Sequence, residues 1–348
     1  MSIVAAFFLV AFFIDLSFAE TKKRVFIVHS YGKEHICGQP QHDGILKAFE
    51  DSGWVVGRDF ELGVYYMATK KINNTPELIA EQAQIALGKI AQFQPDVVLI
   101  LDDNAFRTVG LPLSGKKVAV VFCGLNVQPE DYNRIQPFMK DRLHPGGNIT
   151  GIYEKLHIRE AIKVLASMHD IKKFLFLDDL SPTGKAIAKQ VDLEINSEEC
   201  AGPLPCETEQ ATMHSWEEYQ QTIEAINKSD EIGAFYLGAL LLKDAAGNSY
   251  TAAEIIPYTV EHAIKPTLAP NYAFIKLGLF GGLSVDFYAM GKQAGLKVVQ
   301  ILSGSDPGTL SIDDARKVAL VFNLTRAEKL GIEIPSDILL AADEVFRK

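Results

Sequence analysis

Short apolar runs alternate with longer amphipathic stretches from residue 24 onward. Arg24–His29 reads as a strand and Gln41–Ser52 as a helix. Phe60–Met67 alternates polar and apolar side chains, the period-two pattern of a strand with one solvated face. Thr75-Pro76-Glu77 opens a helix predicted to reach Phe93. Thr is a good N-cap, and the locked φ of proline suits the first helical position. Asp96–Leu101 and Lys117–Phe122 are almost wholly apolar, as parallel strands covered on both faces are. Gly146-Gly147-Asn148-Ile149-Thr150-Gly151 is a turn-rich junction and a candidate hinge. The pattern then restarts. Helices are predicted at His157–Met168, from Pro182, at Trp216–Lys228 and at Ala252–Ile264. Strands are predicted at Lys173–Leu177, Gly233–Leu237 and Lys265–Ala269. Strand–helix alternation of this kind implies α/β architecture with doubly wound sheets, here in two units.

The first residues differ. Ile3–Ile14 is apolar without interruption. As a helix it would rise about 18 Å, against a hydrocarbon core of about 30 Å. That suits the apolar centre of a signal peptide, and Ser17-Phe18-Ala19 offers small residues ahead of Glu20. Residues 1–19 are therefore expected to be a signal peptide, although no Lys or Arg precedes the apolar run; a buried N-terminal helix is the alternative. No cysteine follows the run, so export to the periplasm without a lipid anchor is expected. The chain has 34 Lys and Arg against 44 Asp and Glu, a net charge of −10. An acidic chain lacks the electrostatic footprint of a phosphate-backbone binder, so nucleic acid is not an expected partner. Of four cysteines, Cys200 and Cys206 bracket the loop Ala-Gly-Pro-Leu-Pro. A local disulfide is expected there in an oxidising compartment; two surface thiols are the alternative.

The closing run from Asn323 to Val345 (Asn-Leu-Thr-Arg-Ala-Glu-Lys-Leu-Gly-Ile-Glu-Ile-Pro-Ser-Asp) resembles the end of exported substrate-binding proteins of ABC importers. The subgroup is the type I periplasmic-binding-protein family that includes tryptophan/tyrosine-type binding proteins. Gly147–Gly151 resembles its inter-domain junction, Gly281–Asp286 with Gly291 its late helix, and Pro95-Asp96-Val97-Val98 its third strand. The resemblance implies two Rossmann-like doubly wound lobes joined by a hinge of three crossovers. Lobe 1 would comprise residues 20–148 plus about 278–304, and lobe 2 residues 149–277 plus about 305–348. The hinge strands would lie near Asn148–Thr150, Ala273–Gly278 and Gly304–Thr309. It also implies a small-molecule ligand, an ABC permease as partner, a monomer, no cofactor and no enzymatic activity. The loops His29–His42 and Cys123–Pro129 depart from the family pattern where a ligand would sit, so the family's ligand class does not transfer.

In open α/β sheets ligands bind beyond the carboxyl ends of strands. Two acidic doublets stand at such ends, Asp102-Asp103-Asn104 and Asp178-Asp179-Leu180-Ser181. Each doublet either caps the next helix or meets a ligand ammonium group. The candidate binding residues are Ser30, Tyr31, Asp103, Asn104, Cys123 and Asn126 in the first unit. In the second they are Asp178, Asp179, Ser181, Tyr236, Gly238, Asn271 and Asp286. Tyr31, Tyr236, Tyr272 and Phe287 either stack on a ligand or pack ordinarily. The ligand is expected to carry an amine and a carboxylate, as an amino acid does. His29, His35, Cys37 and His42 invite a metal reading, but their spacing matches no fixed ligand set, and no metal is expected. No nucleophile elbow, P-loop, zincin helix or dinucleotide fingerprint occurs. A Cys123-dependent enzyme and a sensing domain that reports to a membrane receptor are the rival classes.

Overall fold

A computed structural model describes residues 22–33, 35–196, 202–238, 241–316 and 318–347. The expected signal peptide and Cys200 lie outside the described residues, so neither the export signal nor the Cys200–Cys206 pairing is described here. Among the described residues no helix is long and apolar enough to cross a membrane.

The chain begins with β1 (Lys23–His29), α1 (Gly38–Asp51), β2 (Phe60–Tyr66), α2 (Pro76–Phe93) and β3 (Val97–Leu101). Next come a short α3 (Asp103–Ala105), β4 (Ala119–Leu125), α4 (Pro129–Ile135) and β5 (Ile149–Tyr153). The second unit contains α5 (Ile158–Ala166), β6 (Lys173–Asp179), α6 (Pro182–Asn196), β7 (Glu207–Met213), α7 (Trp216–Lys228) and β8 (Ile232–Leu237). A two-stranded hairpin, β9 (Leu242–Lys243) and β10 (Ser249–Tyr250), leads to α8 (Ala252–His262) and β11 (Thr267–Leu268). The end of the chain carries β12 (Gly281–Val285), α9 (Phe287–Leu302), β13 (Asp313–Asp314), β14 (Val318–Asn323), α10 (Leu324–Leu330), α11 (Ser336–Ala341) and β15 (Glu344–Phe346).

Two main sheets result. The first runs β13-β5-β4-β3-β1-β2 and is parallel throughout. The second runs β11-β8-β6-β7, also parallel. A smaller sheet, β12-β14-β15, closes the molecule beside the second. Every residue of β3, β4 and β5 is buried, as the unbroken apolar sequences of β3 and β4 require of strands with helices on both faces; in β5 the Thr150 hydroxyl donates to the Leu310 and Ser311 carbonyls. Edge strand β2 does not show the expected alternation in burial: Phe60 is buried, Val64 is exposed and the remaining residues are half-buried. Local caps bound the helices: Thr75 Oγ1 accepts from Leu78 N, Ser215 Oγ from Glu218 N, and Thr251 with Glu254 forms a reciprocal capping box.

One apolar cluster runs from Val25 and Ile27, through Met290 and Phe322, to Phe174 and Tyr236, and so joins the two units. Separate clusters cover the outer face of each main sheet. Helices α1 and α9 meet at unusually close range, through Gly44, Gly291 and Gly295. A Cβ on Gly291 would stand 2.0 Å from the Gln41 carbonyl oxygen, so only glycine permits this approach.

The crossovers differ from those expected. Ile149–Tyr153 is a full strand of the first sheet, in register with Val120–Leu125, so the chain leaves that sheet after Tyr153 rather than at residue 148. It returns between Val285 and Phe287, because β12 pairs with β14 while α9 packs on α1. It leaves again after Asp314, since β13 pairs with β5. Gly281–Val285 is a strand, and the late helix starts only at Phe287, where Asp286 Oδ1 accepts from Ala289 N.

Candidate ligand-binding site

The carboxyl ends of β1, β3, β4 and β5 face those of β6 and β8 across a cleft, and a cavity of about 530 Å³ lies between them. Its lining comes from both units. The first supplies Tyr31, His35, Ile36, Cys37, Lys70, Ile72, Asp102, Asn126 and Glu154. The second supplies Thr183, Ile187, Gly238, Thr251, Ala252, Asn271, Phe274 and Leu277, and Phe287 closes the side. Apolar walls with a few placed polar groups are what a small-molecule site needs.

Two carboxyl groups dominate the polar part. Asp102 follows β3 with φ 66° and ψ 169°, a backbone region that side-chain-bearing residues rarely enter. Its amide donates to the Cys123 carbonyl at 2.9 Å, which ties the strained residue to the end of β4. Oδ1 accepts from Gln41 Nε2 at 3.2 Å; Oδ2 is buried with no hydrogen-bond partner. Burial pushes the Asp102 carboxyl up to about 8; the neighbouring charge of Asp103 adds to this, while Gln41 and Lys70 oppose it. Glu154 follows β5 and accepts from Asn126 Nδ2 at 3.0 Å. Burial, then the charges of Asp102 and Asp103, raises its carboxyl far above the ordinary range. Lys70 and Lys71 are the cationic lining residues among those described. His35 packs tilted against Tyr31 at 4.3 Å between ring centroids, and burial lowers it to about 4, so it is neutral at pH 7.

The second unit presents helix N-termini instead of charges. Thr183 sits at the start of α6, Thr251 and Ala252 at the start of α8. Each brings the positive end of a helix dipole to the cavity. The units also grip each other directly. Asn271 Nδ2 donates to Cys37 Sγ at 3.2 Å, and Gln190 Nε2 donates to the Glu154 carbonyl at 2.8 Å. Lys71 pairs with Glu254 at 3.1 Å and Lys189 with Asp131 at 2.5 Å.

Of the residues expected from strand ends, the cavity gathers Tyr31, Asn126, Gly238 and Asn271. The others are turned to structural work. Ser30 Oγ donates to the Leu101 carbonyl and accepts from Ala105 N, which ties β1 to the end of β3. Asp103 accepts from Asn126 N, Val127 N and the Tyr132 hydroxyl, so it organises the loop after β4. Asn104 donates to Thr69 Oγ1 at 3.0 Å. Cys123 is fully buried in the core. Asp178 accepts from Thr212 Oγ1, and Asp179 accepts from Ser181 N and Leu241 N. Ser181 Oγ accepts from Gly184 N at the start of α6. Tyr236 lies in the core with its hydroxyl unpartnered, and Asp286 caps α9. Of the aromatic candidates, Tyr31 and Phe287 line the cavity, whereas Tyr272 lines a neighbouring one.

The histidine cluster separates. His29 Nε2 and His42 Nδ1 share a hydrogen bond at 3.0 Å, and burial lowers His29 to about 3. Among the described residues no three His, Cys, Asp or Glu side chains are grouped as metal ligands. Burial raises the Cys37 thiol to about 12 and the Cys123 thiol also rises, the opposite of an activated nucleophile. Glu154 and Lys70 are the chief residues not anticipated. Glu154 directly follows an apolar strand, the same signal as the acidic doublets, but the run before it was read as a hinge. Lys70 lies four residues beyond β2.

Residues 131–346, more than half of the chain, match the family described as ABC transporter substrate binding protein. The chain belongs to that family. A comparison with curated proteins finds no match. Among solved structures it is similar to an ABC domain in complex with L-Trp from Streptococcus pneumoniae. The two share 18% identity over 94% of this chain and 100% of that one, with a TM-score of 0.70. A conserved domain protein from Vibrio cholerae shares 22% identity over 93% of this chain and 100% of that one, with a TM-score of 0.69. The ligand-free, open form of CD0873, a substrate binding protein with adhesive properties from Clostridium difficile, shares 14% identity over 94% and 99%, with a TM-score of 0.69. This substrate-binding protein therefore has the type I periplasmic-binding-protein fold.

Proposed function

We propose that this protein is an exported solute receptor. It closes two lobes around a small zwitterion, an amino acid or close relative, and delivers it unaltered to an ABC permease as a monomer. The lobes are the two units built on the main sheets, and hinge rotation at the crossovers opens the cleft between them. One observation carries the reading: the cavity is polarised. Asp102, Glu154 and Asn126 stand on the first unit, helix N-termini on the second, with apolar walls between. An ammonium group suits the first set and a carboxylate the second, with help from Lys70. An apolar side chain fills the space beside Ile187, Phe274 and Phe287. Contacts from both units favour the closed state only when ligand is present, since ligand binding shifts the equilibrium by its differential affinity.

The test is thermal-shift screening followed by calorimetry against the twenty L-amino acids, simple amines, carboxylates and sugars, with recovery of the bound compound. An amino-acid hit recovered unchanged supports the reading. Stabilisation by sugars alone, or a chemically altered ligand, sinks it.

A further inference from the structure

We infer that Asp102 selects a cationic ligand and exchanges its own proton for it, so that capture of the ammonium group releases a proton to solvent. The inference rests on the solute-receptor reading and adds the group that recognises the amine.

The geometry singles out this carboxyl. Asp102 lines the cavity; its Oδ2 is buried with no hydrogen-bond partner, while Oδ1 is held by Gln41 Nε2. The orientation is enforced from outside the residue. The backbone is held at positive φ by its amide bond to the Cys123 carbonyl, and Gln41 belongs to α1, which the glycine contacts lock against α9. A buried acceptor left unpaired is costly, and an ionised one far more so. In the empty cavity the inexpensive state is the neutral acid.

The charged and titratable groups around it agree. Asp103 lies beside it, Glu154 faces it from the end of β5, and Tyr31, Cys37 and Cys123 add no positive charge. Among the described residues, Lys70 is the cation whose charge acts on it. Burial holds the carboxyl near 8, so at pH 7 it is mostly protonated. When an ammonium group enters, the carboxylate becomes the favoured form. The O–H bond of the acid breaks, the proton leaves to solvent, and the ligand N–H donates to the Asp102 carboxylate. The positive charge of the ammonium group takes the place of the proton, and the ligand carboxylate meets the helix N-termini of the second unit.

The experiment is calorimetry at pH 7 in phosphate and in Tris, whose different ionisation enthalpies report proton release. The probes are the twenty L-amino acids, phenethylamine and 3-phenylpropionate. They are measured on the full chain and on its Asp102→Asn and Glu154→Gln variants, with circular dichroism as the check of folding. The parent is expected to release most of one proton per bound amino acid and to reject 3-phenylpropionate. Asp102→Asn, nearly isosteric, is expected to lose about 10- to 100-fold in affinity for the amine-bearing ligand and to release almost no proton. Glu154→Gln, which also alters the amine-binding set, is expected to weaken affinity but to keep release of most of one proton per bound amino acid. Amino-acid binding with unchanged affinity and proton release in Asp102→Asn overturns the inference and leaves the receptor reading standing. Loss of proton release in Glu154→Gln alone moves the role to Glu154 and also overturns it. A parent that binds only uncharged compounds overturns both.

Discussion

Replacing Gly291 with alanine sets a gain in helix propensity against a steric conflict, and the structure decides which wins. Gly291 lies inside α9, where alanine is favoured over glycine by about 1 kcal/mol. The new methyl would stand 2.0 Å from the Gln41 carbonyl oxygen and 2.7 Å from its carbonyl carbon and Cα. Contacts below 3.0 Å are not tolerated, and the obstacle is backbone, so no rotamer change relieves it. The helices must part by about 1 Å. A gap of that size forfeits roughly a quarter to a half of each dispersion contact along the seam. Overpacking of this kind costs about 1–3 kcal/mol, and a rigid backbone partner places it at the upper end. The net expectation is a loss of about 2 kcal/mol after the propensity gain. Gly88 in α2 is the control, because it is exposed and a Cβ there meets nothing within 4 Å. Gly88→Ala should therefore stabilise by about 1 kcal/mol. Urea unfolding followed by far-ultraviolet circular dichroism measures both. Shifts of the same sign, or a Gly291→Ala protein as stable as the parent, would refute the close-packing argument.

Two further outcomes follow from the buried titratable groups. Asp102 holds its proton up to about 8 when folded but only to about 3.9 when unfolded. The folded state thus binds more protons across that window, and stability falls as pH rises through it. His29, lowered to about 3 from 6.5, acts in the other direction: its contribution is present above 6.5 and is lost as pH falls. Melting temperatures of the ligand-free protein should therefore decline between about pH 6.5 and 8 and level off above, and Asp102→Asn should flatten that decline; an identical slope in the variant contradicts the assignment. The Cys37 thiol, raised to about 12, has a thiolate fraction at pH 8 roughly a thousandfold below that of an ordinary cysteine. Mass spectrometry after iodoacetamide treatment should find Cys37 and buried Cys123 unmodified in the folded chain and alkylated in urea. Rapid labelling of folded Cys37 would show that its surroundings are misread.

The alternation of strands and helices, the parallel character of β3 and β4, and the Thr75 cap were legible from residues 24 to 269 alone. Each depends on neighbours a few positions away, and burial on both faces leaves an unbroken apolar run that needs no partner to be recognised. The rule that ligands meet the carboxyl ends of strands also led to loops that border the cavity, and to Tyr31, Asn126, Gly238 and Asn271 in its lining. Tertiary structure decided that only the first acidic doublet reaches the cavity, and through which member. Asp103 is consumed by Asn126 N and Val127 N, while positive φ and Gln41 hold Asp102 in the cavity wall. It also decided that Glu154 joins the site, because Ile149–Tyr153 forms a strand only when β4 is beside it. The direction of a side chain at a strand end depends on φ, on register and on the helix packed across it, and these are settled by residues dozens of positions away in the chain.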